Sequence, residues 1–131
     1  MPARTPEDVD RCLAEAFTAK DLEALVALYE PNATLVPQPG QPVTGHAAIR
    51  AALQGLLALN PHLEIALTSV TRTGDLALLA SAWTLTGTGA DGQPMCLADR
   101  GAEVVRRQSD GTWRYILDNP FMSAGSNDGL S

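Results

Sequence analysis

Two cysteines and two histidines are all that 131 residues provide, and neither pair sits in a short motif. Cys12 falls in a helical pattern and Cys96 in a strand-like one, so both are read as reduced thiols of a reducing compartment. His46 and His62 lack the HxH, HExxH or CxxC company that gathers metal ligands, and no metal is predicted. Positive charge is scarce too: nine Lys and Arg against fifteen Asp and Glu leave a net charge of -6 and a pI near 4.7. Such a surface repels phosphate backbones, which excludes nucleic acid as a partner. The longest apolar stretch, around "GLLAL", is far short of the roughly 18 residues a membrane helix needs. The opening "MPARTPEDVD" is polar and acidic where a secretory leader would be apolar. A cytoplasmic protein with no membrane partner is the expectation.

What is present is patterned. With 45% hydrophobic and 18% charged residues, the composition is that of a globular chain of one domain, able to bury about two thirds of its unfolded surface. Thr5-Pro6-Glu7-Asp8 reads as a cap, a proline at the first helical position and acids in the first turn, followed by Val9, Leu13, Ala16 and Phe17 at helical spacing. Asp21 caps a second helix with a stripe of Leu22, Leu25, Val26, Leu28 and Tyr29, stopped by Glu30-Pro31. "ATLVP" is a brief strand, and "QPGQPVTG" a loop with room for one short strand. From Thr44-Gly45 a third helix runs to Pro61, with Ile49, Ala52, Leu53, Leu56 and Leu57 on one side.

After Pro61 the period changes from 3.6 to 2. "HLEIALTSVTRTG", "DLALLASAWTLTG", "QPMCLADRGAEVVRRQ" and "TWRYILDN" are separated by Gly-Asp, Ala-Asp-Gly and Asp-Gly turns, a meander of four antiparallel strands. Helices first and strands afterwards indicate an α+β domain over residues 1–120, with the helices against one face of a curved sheet. Residues 121–131, "FMSAGSNDGLS", form a loose tail.

The last hairpin raises the functional question. If Asp110-Gly111 is a two-residue turn, opposed residues have numbers summing to about 221: Glu103 faces Asp118, Val105 faces Ile116 and Arg107 faces Arg114 on one sheet face, while Trp113 and Tyr115 occupy the other. Two carboxyls with Cβ atoms ~5 Å apart in a closed pocket cannot both ionise cheaply. The neutral one can donate a hydrogen bond to a carbonyl or enolate oxygen while the ionised one acts as a base. A three-residue loop with a bulge at Gly111 shifts the sum to about 220 and sets Glu103 against Leu117, which dissolves the pair. A solvated pair held by Arg100, Arg106 or Arg107 is a further reading of the same residues. Arg106, Arg107 and Arg114 form a local basic cluster suited either to an anionic substrate group or to solvated strand ends.

From residue 6 to 120 the layout resembles the nuclear-transport-factor-2-like superfamily, particularly its SnoaL-like and ketosteroid-isomerase-like members, through "AKDLEALVALYEPNATL", "GHAAIRAAL" and "GAEVVRRQSDGTWRYILDNP". The resemblance implies a cone of strongly curved antiparallel sheet closed by three N-terminal helices around a pocket, and pairing of two copies through the sheet. It implies Glu103, Val105, Ile116 and Asp118 facing that pocket, with Leu79, Ser81, Trp83 and Leu85 also inside. Met95 and His46 are added as contacts at its edge and mouth. Carried over residue by residue, the steroid isomerase set is incomplete. Its oxyanion tyrosine falls at Leu13, its aspartate base at Pro37 or Gln38, and only its protonated carboxyl has an acidic counterpart, Glu103. The expected activity is a cofactor-independent isomerase, cyclase or dehydratase reaction by proton transfer between Asp118 and Glu103, on a small, partly apolar carbonyl or ring compound. A non-catalytic binding or dimerisation module of the same fold is the alternative.

Overall fold

In a computed structural model, which describes residues 3–123, the first helix is α1, Pro6–Thr18. Its start is fixed as the sequence predicts: the Asp8 carboxylate accepts from the Thr5 and Arg4 amides at 3.2 and 3.3 Å, satisfying donors that a helix leaves free. The second helix, α2 (Leu22–Ala27), is capped by Asp21, which accepts from Ala24 N at 3.1 Å. It is shorter than its apolar stripe suggests. Tyr29 leaves it to begin a strand, β1 (Tyr29–Leu35), because the Tyr115 amide takes the Leu28 carbonyl at 2.7 Å and draws the chain into the sheet. Pro31 sits inside β1, which the stop signal at Glu30-Pro31 did not foresee. The ladder with its neighbour is interrupted between Tyr29 and Thr34, where a residue without an N–H costs no pairing.

A two-residue strand, β2 (Val43–Thr44), comes next and leads into α3 (His46–Leu57). The meander then follows as β3 (His62–Thr73), β4 (Leu76–Thr88), β5 (Pro94–Arg107) and β6 (Trp113–Asn119). Two strands thus precede the last helix, so the order is not strictly helices then sheet. The class is α+β, with one six-stranded sheet in the order β2-β1-β6-β5-β4-β3. The β1–β6 pair is parallel and the rest antiparallel.

The helices gather on one face: α1 lies against β3, β4, β5 and β6, and α3 against α2 and β1. Between them and the sheet lie Val9, Leu25, Ile49, Leu53, Leu79, Val105 and Tyr115, all essentially without exposure. At ~1.5–3 kcal/mol per buried side chain this layer holds the helices down. Among the described residues nothing covers Leu78 and Leu117 on the other sheet face. There Leu78, Val104 and Leu117 stand side by side across three strands, with Leu78 and Leu117 exposed. Among the described residues no helix is long and apolar enough to cross a membrane. Of the expected tail, residues 124–131 lie outside the described residues, whereas Phe121 packs edge-on against Trp83 with ring centroids 5.6 Å apart.

Candidate functional site

The hairpin between β5 and β6 uses both registers weighed from the sequence, one in each half. At its tip Gln108 N bonds Thr112 O at 2.7 Å and Gly111 adopts φ +85, closing a three-residue loop. The adjoining pairs are Arg107 with Trp113, Arg106 with Arg114 and Val105 with Tyr115. Val105 therefore does not face Ile116, nor Arg107 Arg114. The register then shifts between Val105 and Val104, leaving Ile116 as the extra residue of a bulge. Beyond it the pairs are Val104 with Leu117 and Glu103 with Asp118. Because a bulge inverts the alternation, Trp113, Tyr115 and Asp118 all turn inward, and Trp113 and Tyr115 are buried on the acids' own face. Had the tip register continued, Leu117 would stand beside Glu103.

Glu103 and Asp118 retain only 3% and 6% of their exposure. They share their surroundings with a third acid, Asp10 of α1, also at 3%. Two phenols and a hydroxyl fix them. Tyr29 OH donates to Asp118 Oδ2 at 2.6 Å, Tyr115 OH donates to Asp10 Oδ1 at 2.5 Å, and Ser81 Oγ donates to Glu103 Oε2 at 3.1 Å. The tyrosine rings lie 4.9 Å apart. Gly101 leaves the necessary room, since a Cβ there would come within 2.8 Å of both Ser81 Oγ and Glu103 Oε2.

Asp10, Tyr29, Ser81, Glu103 and Asp118 line a cavity between the helices and the sheet, with Tyr115 buried behind them. Its walls are apolar: Leu13, Phe17 and Leu53 from the helices, Leu63, Ile65, Trp83 and Leu85 from the sheet, and Phe121 beyond β6. Its volume is about 110 Å³, and it opens to solvent through a mouth. Of the residues expected in the site, Trp83, Ser81, Leu85, Glu103 and Asp118 line it. Leu79 and Val105 do not; both are fully buried in the core. Ile116, displaced by the bulge, and Met95, packed on the core's edge, are half-buried away from the lining. His46 does not reach the mouth, its Nε2 lying 2.7 Å from the Tyr29 carbonyl oxygen.

Burial in this apolar space dominates the electrostatics. The Asp118 carboxyl is pushed up to about 7 by desolvation, the Tyr29 hydrogen bond opposing and the Asp10 charge adding to the rise. Desolvation likewise lifts Glu103 to about 10, reinforced by the Asp10 carboxyl against it and by Asp118, with only the Ser81 hydroxyl opposing. Both phenols are held well above their usual range, by burial first and the nearby acids next, so they act as donors. Among the described residues no cation offsets this. Arg106 pairs with Glu30 at 2.8 Å and Arg107 with Asp75 at 2.6 Å, near the hairpin tip and not at the acids. The basic cluster thus serves strand ends rather than the cavity, whose lining contains no Lys, Arg or His. Among the described residues no group of His, Cys, Asp and Glu converges to hold a metal ion.

Sequence reasoning missed Asp10 and Tyr29. Asp10 had a signal: an acid between Val9 and Leu13 on the apolar stripe of α1, one turn before Leu13. Tyr29 was absorbed into the stripe of α2.

A family model described as a SnoaL-like domain matches residues 9–116. No curated protein matches the sequence. Among solved structures, a ketosteroid isomerase-like protein from Erwinia carotovora superposes with a TM-score of 0.76 at 21% identity, covering 86% of this chain and 89% of that one. A candidate calcium/calmodulin-dependent protein kinase II association domain from Xanthomonas campestris gives 0.75 at 20%, covering 89% and 86%. A candidate dehydratase of the NTF2-like family from Streptomyces avermitilis gives 0.71 at 20%, covering 88% and 93%. At these identities the likeness is one of fold.

Proposed function

The chain belongs to the SnoaL-like domain family, and from that premise we propose that its cavity catalyses proton transfer on a small, uncharged, partly apolar carbonyl or ring compound. The carrying observation is the cross-strand pair of Glu103 and Asp118, both buried at the end of an apolar cavity, with Tyr29 fixing one oxygen of Asp118. Asp118 Oδ1 is the remaining acceptor and takes a proton from carbon next to a carbonyl. The C–H pair becomes a C=C bond, and the carbonyl pair moves onto oxygen, where neutral Glu103 donates a hydrogen bond. Asp118 then returns the proton to another atom of the same molecule. Isomerisation, ring closure and dehydration share this first step, and none of its parts draws on a cofactor. Trp83 contributes a ring face, because its Nε1 is already bonded to the Pro120 carbonyl at 2.7 Å. Leu85 and Ser81 complete the substrate contacts.

Three acids and no cation in the lining argue against an anionic substrate. At about 110 Å³ the interior lies below the roughly 300–1,000 Å³ range of ligand sites, so the substrate is a small compound or one that extends out through the mouth. In D2O, uncharged cyclic ketones and enones should gain deuterium at the carbon next to the carbonyl in the presence of the protein, whereas their carboxylate analogues should not. Binding without deuterium uptake by every ketone would favour a non-catalytic binding module instead.

Pairing of two copies through the sheet is the second reading, favoured by the row of Leu78, Val104 and Leu117, in which Val104 is half-buried between the exposed leucines. An apolar row open to water is what a self-complementary interface covers. Leu78→Glu should then give a monomer in sedimentation analysis where the wild type is a dimer. A monomeric wild type at ~100 μM, a concentration at which even weak pairs associate, ends this reading.

A further inference from the structure

Asp10 holds an oxygen that nothing so far explains. Its Oδ1 accepts from Tyr115 OH, whereas its Oδ2 is buried and receives no N–H or O–H donor among the described residues. An acceptor left in that condition costs about 1–3 kcal/mol, more if ionised. The group that lies against Asp10 is the carboxyl of Glu103, whose Oε2 is engaged by Ser81. A carboxyl can fill the vacancy only by carrying a proton, and its Oε1 is the atom left to carry it. We infer that Asp10 and Glu103 form a carboxyl dyad holding one proton between them, with Asp10 the positioning residue that fixes the proton on Glu103.

The surroundings favour one proton over none or two. The polar groups facing the dyad are Ser81 from β4, Tyr115 and Asp118 from β6 and Tyr29 from β1, while α3 and β3 present leucines and an isoleucine. Among the described residues no cation is there to stabilise two negative charges, and Tyr115 donates to Asp10 Oδ1, so the proton that Asp10 Oδ2 calls for can come only from Glu103. Like charges brought together in a dry site resolve themselves by sharing a proton. The dyad also divides the labour of the cavity. Asp118 with Tyr29 accepts protons at one side, and Glu103 backed by Asp10 offers a hydrogen bond at the other. That acid role rests on the proton-transfer reading above; the shared proton itself is measurable with the cavity empty.

The decisive measurement is the side-chain carboxyl signal of Glu103, followed by NMR against pH in protein labelled at glutamate carboxyl carbon. Wild-type Glu103 should still be protonated at pH 8. Asp10→Asn removes the anion that holds the proton, so the proton affinity of Glu103 should fall at least about tenfold. Tyr115→Phe strips the donor from Asp10 Oδ1 and makes Asp10 the stronger acceptor, so the affinity of the pair should rise. A merely structural Asp10 would not move the titration in opposite directions in the two variants. If Asp10→Asn does not fold, Tyr115→Phe decides alone. An ionised Glu103 at pH 7 in the wild type, or a titration that neither variant shifts, overturns the dyad. Failure to exchange deuterium into any ketone would end the catalytic reading and leave these titrations as they are.

Discussion

Asp118→Asn is expected to lower kcat for ketone deuterium exchange by about 10²–10⁴ while changing Kd less than threefold, the usual span of one general base. Asparagine has the same shape and can keep an oxygen on the Tyr29 hydroxyl, which holds the wild-type carboxylate at 2.6 Å. The cavity should therefore still fill. What is lost is a proton acceptor, because an amide oxygen is far too weak a base to take a proton from carbon. The wild-type pH profile supplies an independent check. Asp118 must be ionised to act and Glu103 must be neutral, so kcat/KM should rise through about 7 and fall again toward about 10. Since the acids interact, these limbs belong to the cluster as a whole. Asp118→Asn should erase the acid limb. A variant retaining more than half of the wild-type rate would remove Asp118 from the chemistry, and a flat profile between pH 6 and 9 would do the same for the pair.

The helices and the meander were legible because each rests on local signals of one kind. Thr5-Pro6, Asp21 and the Gly-containing turns mark ends, and the period of the apolar residues separates α1, α2 and α3 from β3, β4, β5 and β6. The pairing of Glu103 with Asp118 was legible only as one of two registers. The sequence "WRYILDN" has no glycine or proline to mark the bulge at Ile116, and both turn geometries suited "QSDGT" equally. What settles the register is tertiary: Trp113 and Tyr115 are large and must be buried near the tip, while Asp118 must find Tyr29, and one chain meets both demands only by gaining a residue between them. Tyr29 itself was invisible as a strand residue, because its partner in the parallel ladder is Tyr115, 86 positions later by subtraction of the paired numbers.

The departures from the steroid isomerase pattern are coherent in space. Leu13, where the resemblance puts the phenol, and Pro37, one of the two positions (Pro37 or Gln38) where it puts the base, both line the cavity as apolar wall. The buried polar groups lie elsewhere on the elements. Asp10 lies one helical turn before Leu13, and the phenols come from β1 and β6 instead of α1. The residue-by-residue correspondence thus registers two losses, while only the packed structure brings Asp10, Tyr29 and Tyr115 to the buried acids Glu103 and Asp118.

Stability should fall as the pH rises from 5 to 9, against the habit of proteins whose acids are paired with cations. Glu103 and Asp118 are raised in the folded state, to about 10 and about 7 from the ordinary 4.5 and 3.8 of a free side chain. A group raised in this way binds its proton more tightly folded than unfolded, so its stabilising contribution is complete below the unfolded value and is lost as the pH climbs to the folded one. Each acid can remove up to about 1.4 kcal/mol per pH unit inside its window. Both act between pH 5 and 7, and Glu103 alone from 7 toward 10. The surface carboxylates Asp8, Glu23, Glu30 and Asp110 are lowered by their partners and act with the opposite sign, but only in the acid range. Maximum stability should therefore lie near pH 5. Glu103→Gln replaces the titrating group by a neutral one that can still donate to Asp10 Oδ2, so it should match the wild type near pH 5 and exceed it by several kcal/mol at pH 9, on the order of the summed slope. Urea unfolding at pH 5, 7 and 9 measures both curves. Equal wild-type stability at the three values, or parallel curves for the variant, would mean that water or a counter-charge reaches these acids and that the cavity is not the dry enclosure from which their chemistry follows.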